Sequence, residues 1–324
     1  MSTSQPLVSV IIPNYNYARY LEERIESVLG QDFQDFEVIL LDDASSDNSA
    51  EILQRYRNHP KVSHLVINDT NTGSPFAQWE RGIALAHGKY IWIAEADDLA
   101  HPAFLSHSVR ALESNPGASL SFSGAEIIDA EGIKIIEDYD YYSNHNITSE
   151  LQIYNGTEYV VRNMFWSSRI YNASGAIFRK DAVKPRFLEE SARMRNSGDW
   201  LFWVKIAAAG NVIEIHQKLN AFRIHGANTT SKGEKNGTLR LEDIKVLEYI
   251  ENNFDISRYK RIIRHGTFIK EILRSEISAP KKAEILATLR LRLGATMWSY
   301  RMERVNKLLL PIFPKLPSIA NDRF

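Results

Sequence analysis

The stretch Tyr90-Ile91-Trp92-Ile93-Ala94-Glu95-Ala96-Asp97-Asp98 decides how this chain is read, because an apolar strand there runs straight into three acidic residues within four positions. Carboxylates crowded at a strand end repel one another, so a cation is expected to hold them. Mg²⁺ or Mn²⁺ is the natural candidate, since hard cations prefer oxygen ligands and reach a site together with the phosphates they neutralise. For an isolated Asp-Asp pair a solvated acidic turn is the simpler alternative. The elements on either side separate the two readings.

Upstream, strands and helices alternate. Residues 7–12 form a short β-branched run that stops at Pro13, and Leu21, Ile25, Val28 and Leu29 then recur at helical spacing. Residues 36–41 read as a second strand and Ile52, Leu53 and Tyr56 as a second helix, with Asn48 and Glu51 placed to cap it. Residues 62–67 make a third strand, and Ser74-Pro75 opens a helix through Ile83. This β-α-β-α-β-α-β order predicts a parallel sheet with helices on both faces and ligands at the carboxyl ends of its strands. Polar clusters fall at those ends: Asn14-Tyr15-Asn16, Asp42-Asp43, residues 68–73 and the acidic triplet.

Downstream, Pro102 starts a helix through Leu112, residues 118–122 read as a fifth strand, and residues 129–146 as a hairpin or loop rich in Asp, Tyr and Asn. Residues 155–166 and 200–209 look helical and 173–178 strand-like, and from Leu239 onward the chain is mainly helical. The expected organisation is a catalytic domain over 1–235, with a donor half at about 7–122 and an acceptor half at about 123–235, followed by a basic helical region over 236–324.

With 324 residues, 44% of them hydrophobic, the chain can bury a full core. The absence of cysteine excludes disulfides, thiolate metal sites and cysteine nucleophiles, and fits a cytoplasmic setting. Residues 1–6 lack the basic start and apolar stretch of a signal peptide, and no apolar run approaches the length of a membrane span. A net charge of −1 gives no ground for a nucleic-acid partner. Residues 256–324, however, carry 15 Lys and Arg against 5 Asp and Glu.

The dinucleotide fingerprint is missing, for Pro13-Asn14-Tyr15-Asn16 offers no glycine for a pyrophosphate turn. Neither a Walker loop nor the Gly-rich loop with Arg and Lys expected of sugar-phosphate nucleotidylyltransferases occurs. What remains is a phosphate site that relies on metal. Val8-Ser9-Val10-Ile11-Ile12-Pro13-Asn14-Tyr15-Asn16, Gln31-Asp32-Phe33, the run from Phe36 to Asp47 and the run from Trp92 to Asp98 together resemble the family 2 glycosyltransferases, over roughly residues 7–230. The implied fold class is α/β of the GT-A type, a Rossmann-like, mostly parallel sheet with flanking helices, plus the C-terminal helical region.

The resemblance implies that Pro13 and Tyr15 line the nucleoside pocket and that Asp43 hydrogen-bonds the base, while Asp42 either joins it or caps the turn. It implies Asp98 as the direct metal ligand, Asp97 nearer the ribose, and Glu95 either ligating or supporting from behind. Gln78-Trp79-Glu80 replaces the family's commoner Ala-Arg-Asn run, with Trp79 read as core and Arg81 as solvent-facing. In Asn196-Ser197-Gly198-Asp199-Trp200 the usual Glu-Asp pair is reduced to Asp199, the implied catalytic base, which without the resemblance would read as a helix N-cap. Gly175 matches a loop that lets backbone approach the donor sugar, or else simply begins a strand. In Phe222-Arg223-Ile224-His225 and Asn228-Thr229-Thr230, His225 is a metal-ligand candidate, and Arg223 and Lys232 are phosphate candidates.

Trp166, Tyr171, Trp200 and Trp203 gather in the acceptor half, as sugar platforms or as core. The expected reaction is inverting transfer from a nucleoside-diphosphate sugar, UDP before dTDP, to a glycan or lipid-linked oligosaccharide in cell-surface polysaccharide synthesis. The basic tail suits an anionic membrane surface, or else packs on the core or on a second protomer. The alternative function is a catalytically weak scaffold subunit, supported only by the glycine at position 198.

Overall fold

The computed structural model describes residues 5–135, 149–170, 172–225 and 236–318. The alternation expected of the first half is realised as β1 (Val8–Asn14), α1 (Ala18–Leu29), β2 (Phe36–Asp42), α2 (Ser49–Tyr56), β3 (Val62–Ile67), α3 (Pro75–Leu85) and β4 (Tyr90–Ile93). These strands lie in the order β3-β2-β1-β4, all parallel. One cap differs from expectation. Asn48 stands at the N-cap of α2 without a side-chain bond, and Asp47 instead accepts the Ser49 amide at 3.0 Å and the Ala18 amide at 2.9 Å, tying α2 to α1.

The rest of the sheet is mixed. It comprises β5 (Leu99–Ala100), β6 (Ala118–Ile128), β7 (Leu151–Tyr154), β8 (Ala176–Arg179) and β9 (Asn211–Arg223), with α4 (Phe104–Glu113), α5 (Gly156–Tyr159), α6 (Pro185–Ala192) and α7 (Gly198–Ala207) between them. β8 joins β4 to β6 antiparallel to both, and β9 runs parallel to β6 but antiparallel to β5 and β7. The sequence reading had no strand at β9, because Glu214, His216, Gln217 and Lys218 break its apolar pattern. Register shifts against β6 around Gly124 bend β9 so that it serves three partners, and no single alternation survives such a bend.

Alternation along β1 explains the layers. Val8, Val10 and Ile12 face one side and Ile11 the other, and all four are fully buried. Leu21 and Ile25 of α1 with Phe104 and Leu105 of α4 cover the first side; Trp79 and Ile83 of α3 with Phe202 and Trp203 of α7 cover the second. The C-terminal helices α8 (Thr238–Asn253), α9 (Arg258–Arg274), α10 (Ala279–Leu293) and α11 (Met297–Leu309) extend that second core. Ile244, Val246, Leu247, Ile250 and Phe268 belong to the same apolar cluster as Trp79 and Trp203. Among the described residues, no helix is long and apolar enough to cross a membrane.

Candidate functional site

Four strand ends converge as the alternation predicts. Asn14 and Asp42 are in register at the ends of β1 and β2, and Asn14 Nδ2 donates to Asp42 Oδ1 at 2.7 Å. Asp42 also accepts the Ser45 amide at 2.9 Å and the Ser45 hydroxyl at 2.6 Å, so its role is to hold the turn. Asn16, in the loop after β1, and Ala44, in this turn, are in the left-handed region, at φ 59° and 58°. Asn16 bonds across to the turn, its Oδ1 accepting the Ser46 amide at 2.8 Å; Ala44 has no such compensation. Pro13 is buried within β1, while Tyr15 is turned out and is 47% exposed.

Asp43 is buried and crowded with donors. It accepts from Asn68 Nδ2 at 2.7 Å, from the Thr72 amide at 3.0 Å, from Thr72 Oγ1 at 2.8 Å and from Gln78 Nε2 at 2.7 Å. Expected at a nucleotide base, it is here the knot that ties the loop after β3 to α3. The next residue of α3 serves a second loop: Trp79 is core, as read, yet its Nε1 donates to Glu95 Oε1 at 3.0 Å. Gln78-Trp79 thus braces two acidic strand ends from one helical turn. Arg81 turns outward to Asn68.

Burial raises the Glu95 carboxyl to about 8, with Asp97 and Asp98 adding repulsion. Burial, then Asp97, raises Asp98 to about 6. Asp98 Oδ1 accepts the Arg223 amide at 3.0 Å and Oδ2 accepts Asn172 Nδ2 at 2.9 Å, so the residue expected to ligate directly is engaged by protein donors. Asp97 is the more open carboxylate. Its Oδ2 lies 2.9 Å from His225 Nε2, and the His225 ring sits 5.5 Å from each of the Tyr17 and Tyr20 rings.

Arg223 is a correction. Rather than facing a diphosphate, its guanidinium is buried over Tyr20, with Nε donating to the Asp97 carbonyl at 2.7 Å and Nη2 to Glu23 at 2.9 Å. It clamps the acidic turn from behind. A cation that sequence reasoning missed lies on α1: Arg24 is fully buried, 5.0 Å above the Trp92 ring, and none of its nitrogens has a hydrogen-bond partner among the described residues. Burial lowers it to about 10, opposed by Asp98, Glu95 and Asp97. Its helical spacing from Leu21, Ile25 and Val28 on an apolar face was the available signal.

Asp199 lies inside the first turn of α7 and Ser197 holds the N-cap position, so the N-cap reading of Asp199 does not apply. Its Oδ1 accepts the Trp200 amide at 2.7 Å, and burial, with Asp243 and Glu242 repelling, raises it to about 6. Gly198 is glycine for a steric reason: a Cβ there would lie 2.5 Å from Phe76 and 2.6 Å from the Ser191 carbonyl oxygen. Gly175 closes a single 3₁₀ turn, Ala173–Gly175, before β8, whose Ser174 hydroxyl receives the Glu95 amide at 3.0 Å. Trp166, Trp200 and Trp203 are all core rather than sugar platforms; Trp200 donates to the Met164 carbonyl at 3.0 Å. Tyr171, residues 138–146, Asn228, Thr229, Thr230 and Lys232 lie outside the described residues.

Mg²⁺ or Mn²⁺ suits the donor chemistry of this crevice, where carboxylates repel and imidazole stands beside Asp97. Among the described residues no group of three or more His, Asp or Glu is arranged around one point. Of the three carboxylates of the turn, Asp97 with its neighbour His225 is the pair whose donor chemistry fits a cation that keeps waters and phosphate oxygens as its other ligands.

Solved structures share this architecture. The Staphylococcus aureus TarS fragment 1–349, crystallised with UDP-GlcNAc, superposes with a TM-score of 0.69 over 98% of this chain and 88% of that one, at 16% identity. The mannosyltransferase PcManGT of Pyrobaculum calidifontis, crystallised with GDP-Man and Mn²⁺, gives 0.54 over 99% and 85%, also at 16% identity. These are GT-A-fold enzymes, and the fold here is GT-A. An uncharacterized glycosyltransferase of Haemophilus influenzae is 26% identical over 260 residues, 78% of this chain and 76% of the relative. Residues 9–187, which contain all of β1 but its first residue, the Asp43 knot and the whole acidic turn, match glycosyl transferase family 2, and the chain belongs to that family.

Proposed function

We propose that this glycosyltransferase is an inverting enzyme that moves a sugar from a nucleoside-diphosphate sugar, UDP-linked first and dTDP-linked second, to a hydroxyl of a glycan or lipid-linked oligosaccharide of cell-surface polysaccharide. The observation that carries the reading is the acidic turn at the converging strand ends, where His225 lies 2.9 Å from Asp97; Asp199, in the first turn of α7 with its proton affinity raised, is the base proposed to serve it. Asp199 takes the proton of the acceptor hydroxyl as that oxygen attacks the anomeric carbon. The bond from that carbon to the diphosphate oxygen breaks, its electron pair leaves with the nucleoside diphosphate, and the configuration inverts. With Asp199 raised to about 6, the base is largely ionised at neutral pH and still a competent proton acceptor.

Asp97 and His225 hold the cation and Asp98 braces the turn; when bound, Mg²⁺ or Mn²⁺ neutralises the diphosphate. Tyr15 covers the nucleoside from above Pro13, Gly175 gives the donor sugar close backbone approach, and Asp43 shapes the base pocket through the loop it ties. Gly198 has a steric reason of its own, so the missing acid there argues less for a scaffold role. Calorimetric titration of UDP, dTDP, GDP, CDP and ADP with and without Mn²⁺ tests the reading. Metal-dependent binding of one nucleotide, lost in Asp97→Ala, is expected; no binding by wild type under either condition would sink it.

The acceptor reading extends to anionic membrane. On α11 the exposed Trp298, Val305 and Leu308 surround exposed Arg301, while exposed Arg304 and Lys307 continue the same solvent side, and the helix's one acid, Glu303, is buried against Lys270. A cationic face repels its own copy and attracts anionic headgroups. Co-sedimentation with phosphatidylserine vesicles, absent with phosphatidylcholine alone and abolished in R301E/R304E/K307E, is the expected result. Equal binding to both vesicles, or none, would remove this part of the proposal.

A further inference from the structure

We infer that Glu242, which enters from the C-terminal helix α8, is a positioning residue that aims Asp199. The inference rests on Asp199 being the base. The Glu242 carboxylate accepts three consecutive backbone amides, those of Arg195 at 2.8 Å, Asn196 at 2.6 Å and Ser197 at 2.9 Å. Its neighbour Asp243 accepts the Ser197 hydroxyl at 2.7 Å and is itself held by Arg240 at 3.2 Å. The bound segment leads directly into α7, so fixing Ser197 fixes the first turn, where Asp199 sits.

No carboxylate could reach these amides from position 198, where a Cβ has no room. Amides that no helix or strand has paired need an acceptor, and an ionised one is the strongest available. α8 can supply it rigidly, because Ile244, Val246, Leu247 and Ile250 pin it into the core beside α7. Like charge on Glu242 and Asp243 also faces Asp199, while Arg240 and Arg264 answer Asp243, and the Lys205–Glu190 pair lies near the other end of α7. Glu242 thus fixes the direction of the base and adds its charge to the burial and the Asp243 repulsion that raise the base's proton affinity.

The test uses the full chain with Mn²⁺ and the sugar nucleotide chosen by titration, reading release of nucleoside diphosphate to acceptor or water. In Glu242→Ala, amide exchange over residues 195–199 speeds up, kcat falls by roughly 10- to 100-fold and nucleoside-diphosphate affinity stays within about twofold of wild type. Glu242→Gln keeps an acceptor oxygen and loses the charge, so the acid limb of its pH profile moves to lower pH. Unchanged exchange in Glu242→Ala, or an unmoved limb in Glu242→Gln, overturns the inference while wild-type turnover leaves the transferase reading intact. A wild type that binds nucleotide yet releases no diphosphate from any sugar nucleotide defeats that reading, and this inference with it.

Discussion

The two sides of the crevice are braced over very different lengths of chain. Among the ends of the first four strands, the bonds that fix Asp42, Asp43 and Glu95 join residues 28, 35 and 16 positions apart. Where β9 returns, Asp98 is bonded by Arg223 and Asp97 by His225 across 125 and 128 positions, and Arg223 reaches Glu23 across 200. Apart from the Ser174 hydroxyl that receives the Glu95 amide from 79 positions on, the first side is built from neighbouring β-α units, and the second only when a late strand lies down on an early turn. Local contacts form fast and long-range ones wait for loop closure. The donor-side scaffold can therefore stand before the acidic turn is latched.

The largest expected effect lies at the base, outside both sets of braces. Asp199→Asn lowers the transfer rate by about 10³-fold with nucleotide affinity unchanged, measured by product formation beside calorimetry. In wild type the base must be ionised, so the rate falls as pH drops through about 6 and levels off above it; a flat profile down to pH 5 contradicts the assignment. Next, Trp203→Ala removes a fully buried ring packed against Trp79, Phe178 and Phe202, and should cost about 3–5 kcal/mol in chemical denaturation. Because Trp79 holds Glu95 on the early side, this variant asks whether the two sides share one unfolding transition or two.

The metal pair sharpens the comparison. Asp97→Asn and His225→Ala should each weaken Mn²⁺-dependent nucleotide binding by about 10- to 100-fold, with metal-free binding unaffected. Equal affinity in both variants would return the ligand role to Asp98. The smallest effect belongs to the early side: Ala44→Gly relieves a left-handed alanine at φ 58° and should stabilise the fold by up to about 1 kcal/mol, read as a rise in Tm.

The same contrast explains what the sequence made legible. β1 to β4 are β-branched runs between turn residues, and their positions and parallel order follow from periodicity alone. Trp79 was readable as core from its place in α3, but its bond to Glu95 was not, since periodicity gives a face and not a polar partner. β9 escaped because its polar residues mark where it changes partners, and with it went the true setting of Arg223. That the Arg223 amide bonds Asp98 while His225 lies against Asp97 was equally hidden, because the partners arrive from a strand more than a hundred positions away. Trp166 and Trp200 show the limit of composition, for an aromatic cluster reads the same on a sugar platform as in a core.

The latch formed by Arg223 has a consequence for how the protein is made. Synthesis proceeds from the amino terminus, and domains assemble as they emerge. A nascent chain that has released β1 to β4 holds Glu95, Asp97 and Asp98 without the amide of Arg223, its guanidinium, or the imidazole of His225. Such a chain presents repelling carboxylates with only Arg24 buried behind them. Completion of the acidic turn is thereby deferred until β9 has left the ribosome.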